Sequence, residues 1–183
     1  MIEIEIKAKL TELQYLNVKT YLDTNFTYNG SVGETDLYFN GIDRDFAKTD
    51  EAFRIRKEVK NDITTVYITY KGSKLSKNIK ARQELEVAVA DYDTMLKITK
   101  ALGFKEVATV EKQRHYYKSG DITATLDNVT RLGYFIELEM LALETDDLTK
   151  YSDLLFSLLD KLGIEKSAAT NTSYLEMLLN IQE

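Results

Sequence analysis

The chain has 183 residues, of which 44% are hydrophobic and 30% charged, so its composition is typical of one globular domain with a substantial core. Its formal net charge of −6 argues against binding to nucleic acid or to an anionic membrane surface, because both attract a basic protein face. The absence of cysteine excludes disulfides, thiolate metal sites and cysteine nucleophiles, and the single histidine leaves little room for a Ser–His triad or a zinc site.

Targeting signals are not evident in the sequence. The opening segment, MIEIEIKAKL, carries charges where a secretory signal has an apolar run. No stretch approaches the ~20 consecutive apolar residues of a membrane-spanning helix. We therefore expect a cytoplasmic protein with no membrane partner.

Alternation of polar and apolar residues with a period of two runs through most of the chain and predicts about eight β-strands. The predicted strands are Ile2–Lys9, Glu34–Asn40, Ala52–Lys60, Ile63–Lys71, Lys80–Val89, Val107–Lys118, Asp121–Val129 and Gly133–Ala142. Short strands that follow one another with few helices between them favour an antiparallel sheet. Closing eight such strands into a barrel would remove the exposed sheet edges.

Helices are predicted between and after these strands. The first begins at Thr11, where Gln14 completes a capping-box pattern. The others are Asp91–Gly103, Asp146–Gly163 and Asn171–Ile181, and the leucine stripe of the third predicts packing against the sheet. Since no linker or low-complexity segment divides the chain, we expect residues 1–183 to form a single domain.

Acidic side chains are grouped on two of the predicted strands. Glu3 and Glu5 lie two residues apart on the first strand, Glu137 and Glu139 repeat this spacing on the last, and Asp127 lies on the strand before it. Like charges at this spacing repel each other unless a cation or water intervenes. Oxygen ligands of this kind suit Mg²⁺ or Mn²⁺.

Basic side chains are grouped in the same way on other strands. Arg54 shares a face with Arg56, Lys112 shares one with Arg114, and Lys71 precedes a glycine. Converging cations of this kind would match a polyphosphate, and a metal-bound triphosphate needs charges of both signs. If the polar faces line a barrel, they form a metal–phosphate tunnel, but spacing alone leaves open the alternative that each face is solvated.

Short motifs along the whole chain extend this pattern. Glu3-Ile4-Glu5-Ile6-Lys7 comes first, followed by Asp36–Phe39, Glu51–Arg56, Tyr70–Gly72, Arg82–Glu86, Glu111–Arg114, Leu126–Val129, Gly133–Glu139 and Ser173–Glu176. Together they resemble the motifs of the CYTH proteins, also called triphosphate tunnel metalloenzymes. The segment Arg44–Glu51 and the C-terminal motif are most similar to the class IV adenylyl cyclase-like branch.

The resemblance implies an α+β fold, an eight-stranded antiparallel closed β-barrel whose interior is the active site, with helices packed outside. It implies Mg²⁺ or Mn²⁺ as the cofactor, with Glu3, Glu5, Asp127, Glu137 and Glu139 as ligands or their supporters. It also implies that phosphate oxygens are bound by Lys7, Arg54, Arg56, Lys71, Lys112 and Arg114. Arg82, Glu84 and Glu86 form a neighbouring group in which the acids either support these cations or make ordinary salt bridges.

The implied substrate is a triphosphate, namely ATP, thiamine triphosphate or tripolyphosphate. A cyclase would direct the ribose 3′-hydroxyl at the α-phosphorus of ATP and expel pyrophosphate, whereas a triphosphatase would direct water at the terminal phosphorus. Lys7 and Arg114 are the predicted catalytic residues. Lys7 binds phosphate in this prediction, and the alternative is that Lys7 or Lys9 acts as a base if desolvation lowers its pKa.

Two features leave the substrate open at this stage. Glu34 stands where the cyclase-type second strand often carries glutamine, and nothing in the sequence identifies an adenine pocket. A barrel that binds a nucleotide or polyphosphate without turnover is the alternative from another functional class. The segment Gly72–Lys80 would form either a flap over the tunnel mouth or a solvated hairpin loop, and the protein would be a monomer or a homodimer.

Overall fold

The computed structural model describes residues 2–73, 81–143 and 145–182. Within them the strands are β1 (Ile2–Leu10), β2 (Thr27–Asn40), β3 (Ala52–Lys60), β4 (Ile63–Lys71), β5 (Ala81–Val89), β6 (Lys105–Ser119), β7 (Ile122–Val129), β8 (Gly133–Ala142) and β9 (Ala169–Thr170). The α-helices are α1 (Glu12–Asn25), α2 (Phe46–Thr49), α3 (Tyr92–Ala101), α4 (Leu148–Lys161) and α5 (Tyr174–Gln182). No helix among these residues is long and apolar enough to cross a bilayer.

The first eight strands form a closed antiparallel barrel. Their spatial order is β5-β4-β3-β2-β6-β7-β8-β1, and β5 returns to pair with β1 from Ile2↔Gln83 to Ile4↔Ala81. β8 pairs with the whole of β1, from Ile2↔Ala142 to Leu10↔Tyr134. The predicted antiparallel closed barrel is therefore confirmed, and among the described residues β5 and β1 are joined by three residue pairs.

The two faces of β1 show how the alternating pattern builds the barrel. Ile2, Ile4 and Ile6 are at most 5% exposed and join an outer apolar cluster that includes Leu22 of α1 and Leu155 of α4. Burying each such side chain stabilises the fold by roughly 1.5–3 kcal/mol. The intervening charged residues consequently face the barrel interior, and the prediction that helices pack outside is confirmed.

Three local features differ from the sequence prediction. β2 begins at Thr27 rather than Glu34, because a bulge between Tyr28 and Gly30 interrupts the alternation, with Gly30 at φ 103°. The single-turn helix α2, capped by Asp45, is too short to show a helical period. β9 contributes two residues to the sheet, and the sequence analysis did not predict this strand.

The C-terminal helix α5 starts at Tyr174, later than the predicted Asn171. Tyr174 and Leu178 pack with Val110 and Phe135 in a second apolar cluster at one end of the barrel. This packing brings the C-terminal motif to the barrel interior. The predicted flap at Gly72–Lys80 falls mostly on residues 74–80, which lie outside the described residues.

Candidate active site

A cavity of about 720 Å³ occupies the barrel interior. Its walls carry all of the predicted phosphate-binding cations, which are Lys7, Arg54, Arg56, Lys71, Lys112 and Arg114. The predicted metal ligands Glu3, Glu5, Glu137 and Glu139 and the neighbouring group Arg82, Glu84 and Glu86 line it as well. Residues that are distant in sequence are thus brought into one charged chamber.

Asp36 on β2 is the centre of the cationic wall. Its carboxylate is fully buried and accepts two hydrogen bonds from Arg56, at 2.6 and 2.8 Å. Lys112 Nζ lies 3.1 Å and Arg54 Nη1 3.3 Å from the same Oδ2 atom. Burial would raise the pKa of Asp36, but the charge of Lys112 and the two arginines outweighs it and holds the pKa well below the ordinary value.

Glu34 reinforces this wall two residues earlier on β2. Its Oε2 lies 2.6 Å from Lys112 Nζ and 2.8 Å from Arg56 Nη2, and its Oε1 accepts a hydrogen bond of 2.9 Å from Tyr116. Burial by itself would raise the pKa of Glu34, but the neighbouring cations, above all Lys112, hold it at about 2. The residue noted as a departure from the cyclase pattern is therefore a fixed anion that holds two cations in place.

Sequence reasoning did not assign Glu34 or Asp36 to the site. The signal was present, because the two acids share a strand face with the same spacing as Glu3 and Glu5. Their importance depends on the register, since β2 lies between β3 and β6 and pairs Asp36 with Arg56 and Glu34 with Lys112. The missed residues are the counter-ions that position the predicted phosphate-binding cations.

Arg114 is held by acids on two sides. Asp127 accepts its Nε and Nη2 hydrogens at 2.7 and 2.5 Å, and Glu137 accepts a further hydrogen bond from Nη2. Asp127 is fully buried, and its Oδ2 also accepts a hydrogen bond of 2.8 Å from Tyr174. Asp127 therefore lies behind the cavity wall and supports Arg114, whereas Glu137 reaches the cavity itself.

Two lysines contact the carboxylates of β1, β5 and β8. Lys7 Nζ lies 2.9 Å from Glu137 and 3.4 Å from Glu5, and it lies 4.0 Å from the centre of the Tyr174 ring. Lys71 Nζ lies 3.0 Å from Glu3 and 2.7 Å from Glu84. Both ammonium groups are thus fixed at the border between the cationic and acidic walls.

The remaining predicted cations and acids extend the same network. Arg54 Nη2 lies 3.8 Å from both Glu84 and Glu86, and Glu86 accepts a hydrogen bond of 2.7 Å from Thr69. Arg82 lies 3.7 Å from Asp50 at the cavity rim. The acids of β5 therefore lie within ion-pair distance of cavity cations, as both predicted alternatives allow.

The acidic wall of β1 and β8 contains carboxylates that repel each other. Glu5 and Glu139 are directly opposite in the antiparallel register, an arrangement that is unfavourable for like charges. Burial, followed by the charge of Glu3, raises the pKa of Glu139 to about 8. Burial also raises the pKa of Glu3. Within the described ranges Glu139 makes no ion pair that would offset this rise in its pKa.

These donors fit a divalent metal of the Mg²⁺ or Mn²⁺ type. In the part of the chain that the structure describes, no three acidic side chains converge into a complete metal cage. Mg²⁺ does not require one, because it keeps several waters and is held by one or two carboxylates together with substrate phosphates. Glu3, Glu5 and Glu139 supply oxygen donors whose mutual repulsion a cation would relieve.

His115 and Lys9 do not line the cavity. The His115 ring lies 3.1 Å from the Tyr28 hydroxyl, on the strand face opposite to Lys112 and Arg114. Lys9 is exposed, with its ammonium 5.9 Å from the centre of the Phe135 ring. Of the two lysines considered as a base, only Lys7 is therefore inside the chamber.

The sequence profile of the CYTH domain matches residues 1–174, so the chain belongs to the CYTH domain family. Proteins of this family are metal-dependent enzymes that act on triphosphate substrates in a tunnel barrel. No particular reaction follows for this chain from membership alone.

Individual relatives agree with this classification. A protein of Methanocaldococcus jannaschii that is provisionally named an adenylate cyclase is 41% identical over 97% of this chain and 98% of its own length. The adenylate cyclase CyaB of Aeromonas hydrophila is 26% identical over 94% of this chain and 86% of its own length. Among solved structures, the protein PH1819 of Pyrococcus horikoshii superposes with a TM-score of 0.90 at 37% identity, over 98% of this chain and 99% of that one.

Proposed function

We propose that the chain is a Mg²⁺- or Mn²⁺-dependent enzyme that converts ATP into cyclic AMP and pyrophosphate, in the manner of class IV adenylyl cyclases. The observation that supports this best is the division of one chamber into a cationic wall and an acidic wall. The cationic wall suits phosphate oxygens, and the acidic wall suits the metal that accompanies them. The names of the two relatives described above support the cyclase assignment.

The cationic wall binds and orients the triphosphate. The guanidinium groups of Arg54, Arg56 and Arg114 offer paired N–H donors, and Lys7, Lys71 and Lys112 supply point charges. Each cation is held by acids of the barrel before the substrate enters. Little reorganisation is then needed when charge develops on the phosphoryl oxygens, which is the condition for strong electrostatic stabilisation of the transition state.

The metal would be held by Glu3, Glu5 and Glu139, with Glu137 beside them. When bound, it would polarise the phosphoryl oxygens and offset the negative charge of the substrate. Glu137 also binds Lys7 and Arg114, so the same carboxylate connects the two walls.

In the cyclisation, the ribose 3′-oxygen forms a bond to the α-phosphorus while the bond from that phosphorus to the oxygen bridging to the β-phosphorus breaks. Pyrophosphate leaves, and the proton of the 3′-hydroxyl passes to water. Arg114 and Lys7 stabilise charge on the oxygens of the phosphorus under attack. We assign Lys7 to phosphate binding rather than to proton abstraction, because Glu137 and Glu5 hold its ammonium in the cavity wall.

Hydrolysis of a triphosphate is the second candidate. The cations contact the cavity along β1, β3, β4 and β6, so they suit phosphate oxygens at any position of a triphosphate chain. Attack by water at the terminal phosphorus needs the same charge stabilisation as attack at the α-phosphorus. The two reactions therefore differ in which nucleophile is positioned, and product analysis separates them.

The test is to incubate the purified protein with ATP, thiamine triphosphate or tripolyphosphate, each with Mg²⁺ or Mn²⁺, and to identify the products. Cyclic AMP with pyrophosphate is the expected result from ATP. Orthophosphate instead would replace the cyclase assignment with a triphosphatase, and the fastest substrate would define its class. Tight binding without any product would overturn the enzyme proposal in favour of a binding module.

A further inference from the structure

Arg82 on β5 is a cavity cation whose charge is poorly matched by the acids around it. Its side chain lines the chamber, and the residue is 8% exposed. Among the described residues, its one ion pair joins Nη2 to Oδ1 of Asp50 at 3.7 Å, a distance too long for a hydrogen bond. The Nε atom is buried and makes no hydrogen bond with any described residue. Arg82 therefore holds a buried charge and a buried donor without a close partner.

The six cations already assigned to phosphate binding differ from Arg82 in this respect. Each of them has a carboxylate oxygen within 3.3 Å, as is so for Lys7, Arg54, Arg56, Lys71, Lys112 and Arg114. Burying a charge without such a partner is unfavourable for folding. The position of Arg82 is therefore explained better by a ligand that completes its hydrogen bonds than by a contribution to stability.

The strand register places Arg82 beside Lys71. Arg82 precedes Glu84 on β5 by two residues and so shares its inward face, and β1 pairs it with Glu3. Lys71 contacts the same two acids, at 2.7 Å from Glu84 and 3.0 Å from Glu3. Arg82 and Lys71 thus lie next to one pair of carboxylates, on the strands that close the barrel.

These two carboxylates do not satisfy the guanidinium. Both lie within 3.0 Å of Lys71, and neither makes an ion pair with Arg82 among the described residues. A guanidinium presents its N–H donors in one plane and matches two oxygens of a phosphoryl group. A phosphate that reaches Lys71 from the cavity would supply oxygens on the side of Arg82 that the acids leave open.

We infer that Arg82 binds a phosphoryl oxygen of the substrate directly. This places it among the phosphate-binding cations rather than in a neighbouring group with Glu84 and Glu86. The inference rests on the proposed function, because it assumes that the chamber takes a triphosphate, and it adds a residue to that binding set. The donors of Arg82 would gain in the complex the partners that they lack in the free protein.

The test compares Arg82→Gln with the matched control Arg131→Gln, which removes the same charge from an exposed arginine that does not line the cavity. Calorimetric titration with tripolyphosphate and Mg²⁺ gives the dissociation constants. Arg82→Gln should weaken binding by at least about tenfold, because charge-assisted hydrogen bonds are lost. Arg82→Lys should recover part of this loss, since it keeps the charge without the paired donors. Arg131→Gln should stay within about twofold of the wild type, because distant exposed charges are screened.

Urea denaturation of the ligand-free proteins separates ligand binding from a structural role. Arg82→Gln should not lower the free energy of unfolding, because the side chain that it replaces has no close ion pair. Tripolyphosphate affinity within about twofold of the wild type in Arg82→Gln would overturn the inference. A loss of affinity accompanied by a loss of stability would also overturn it, since Arg82 would then act through the fold.

Product analysis with the wild-type protein separates this inference from the proposed function. Weaker tripolyphosphate binding in Arg82→Gln, together with no product from any triphosphate, would refute the enzyme proposal and leave Arg82 as a binding residue. Turnover of ATP by the wild type, together with unchanged affinity in Arg82→Gln, would refute the role of Arg82 alone.

Discussion

Replacing Glu139 with glutamine should remove a pH dependence that the acidic wall imposes on the free energy of unfolding. In the unfolded chain this carboxyl group titrates near its ordinary value of 4.5, whereas in the barrel burial and the charge of Glu3 raise its pKa to about 8. Between these two values the folded protein keeps a proton that the unfolded chain has lost. The free energy of unfolding therefore falls as the pH rises through this window.

The magnitude follows from proton linkage. A proton bound in only one state changes the free energy of unfolding by about 1.4 kcal/mol per pH unit. Raising the pH from about 5 to about 7.5 should therefore destabilise the metal-free wild type by about 3 kcal/mol through this group. Glutamine is neutral throughout, so the Glu139→Gln variant should lack this part of the slope.

Urea denaturation of both proteins at these two pH values, without divalent metal, measures the difference. The control is Glu106→Gln, because Glu106 is an exposed acid paired with Lys100 at 2.7 Å and should leave the slope unchanged. Saturating Mg²⁺ should raise wild-type stability more than that of Glu139→Gln, since it binds the ionised carboxylate. Parallel pH slopes for wild type and Glu139→Gln in the metal-free series would refute the reasoning.

Three further predictions concern the walls of the chamber. The double variant Glu3→Gln with Glu5→Gln should lower turnover by at least about a hundredfold, because the metal loses two donors. Its circular dichroism spectrum should be unchanged. Near-normal turnover would show that neither residue takes part in the mechanism. Asp36→Asn should lower the free energy of unfolding by about 3 kcal/mol in denaturant titrations, because it leaves buried cations without their shared anion. A loss below about 1 kcal/mol would contradict this prediction. Tyr174→Phe removes a hydrogen bond to Asp127 and should lower the free energy of unfolding by about 1 kcal/mol. It should also lower kcat/KM severalfold, because Asp127 then holds Arg114 less firmly. Unchanged kinetics would show that Asp127 positions Arg114 without Tyr174.

Much of the barrel is predictable from the sequence because strand alternation depends on a simple physical requirement. Each strand that separates an apolar outer layer from a charged interior must change polarity at every residue, as β1 and β8 do. The pattern fails where the backbone departs from regular geometry, as at the bulge near Gly30. It also fails for one-turn and two-residue elements such as α2 and β9, which are too short for a pattern to repeat.

The candidate site is predictable only in part for a different reason. Residues such as Glu3 and Glu5 are recognisable because both members of the pair lie on one strand. The contribution of Asp36 depends on β3 and β6 lying on opposite sides of β2, which is a property of register rather than of local sequence.

β1 closes the barrel by pairing with β8 on one side and with β5 on the other, and this affects how the chain folds. β1 is synthesised before both of these partner strands, since Ile2 pairs with Gln83 and Ala142, which lie much later in the chain. Contacts that distant in sequence form slowly because a long loop must be ordered first. During that wait an isoleucine-rich strand is open to pairing with other chains, and the charges at Glu3, Glu5 and Lys7 oppose such association. The residues that are proposed to hold metal and phosphate in the finished barrel thus also protect the nascent strand from aggregation.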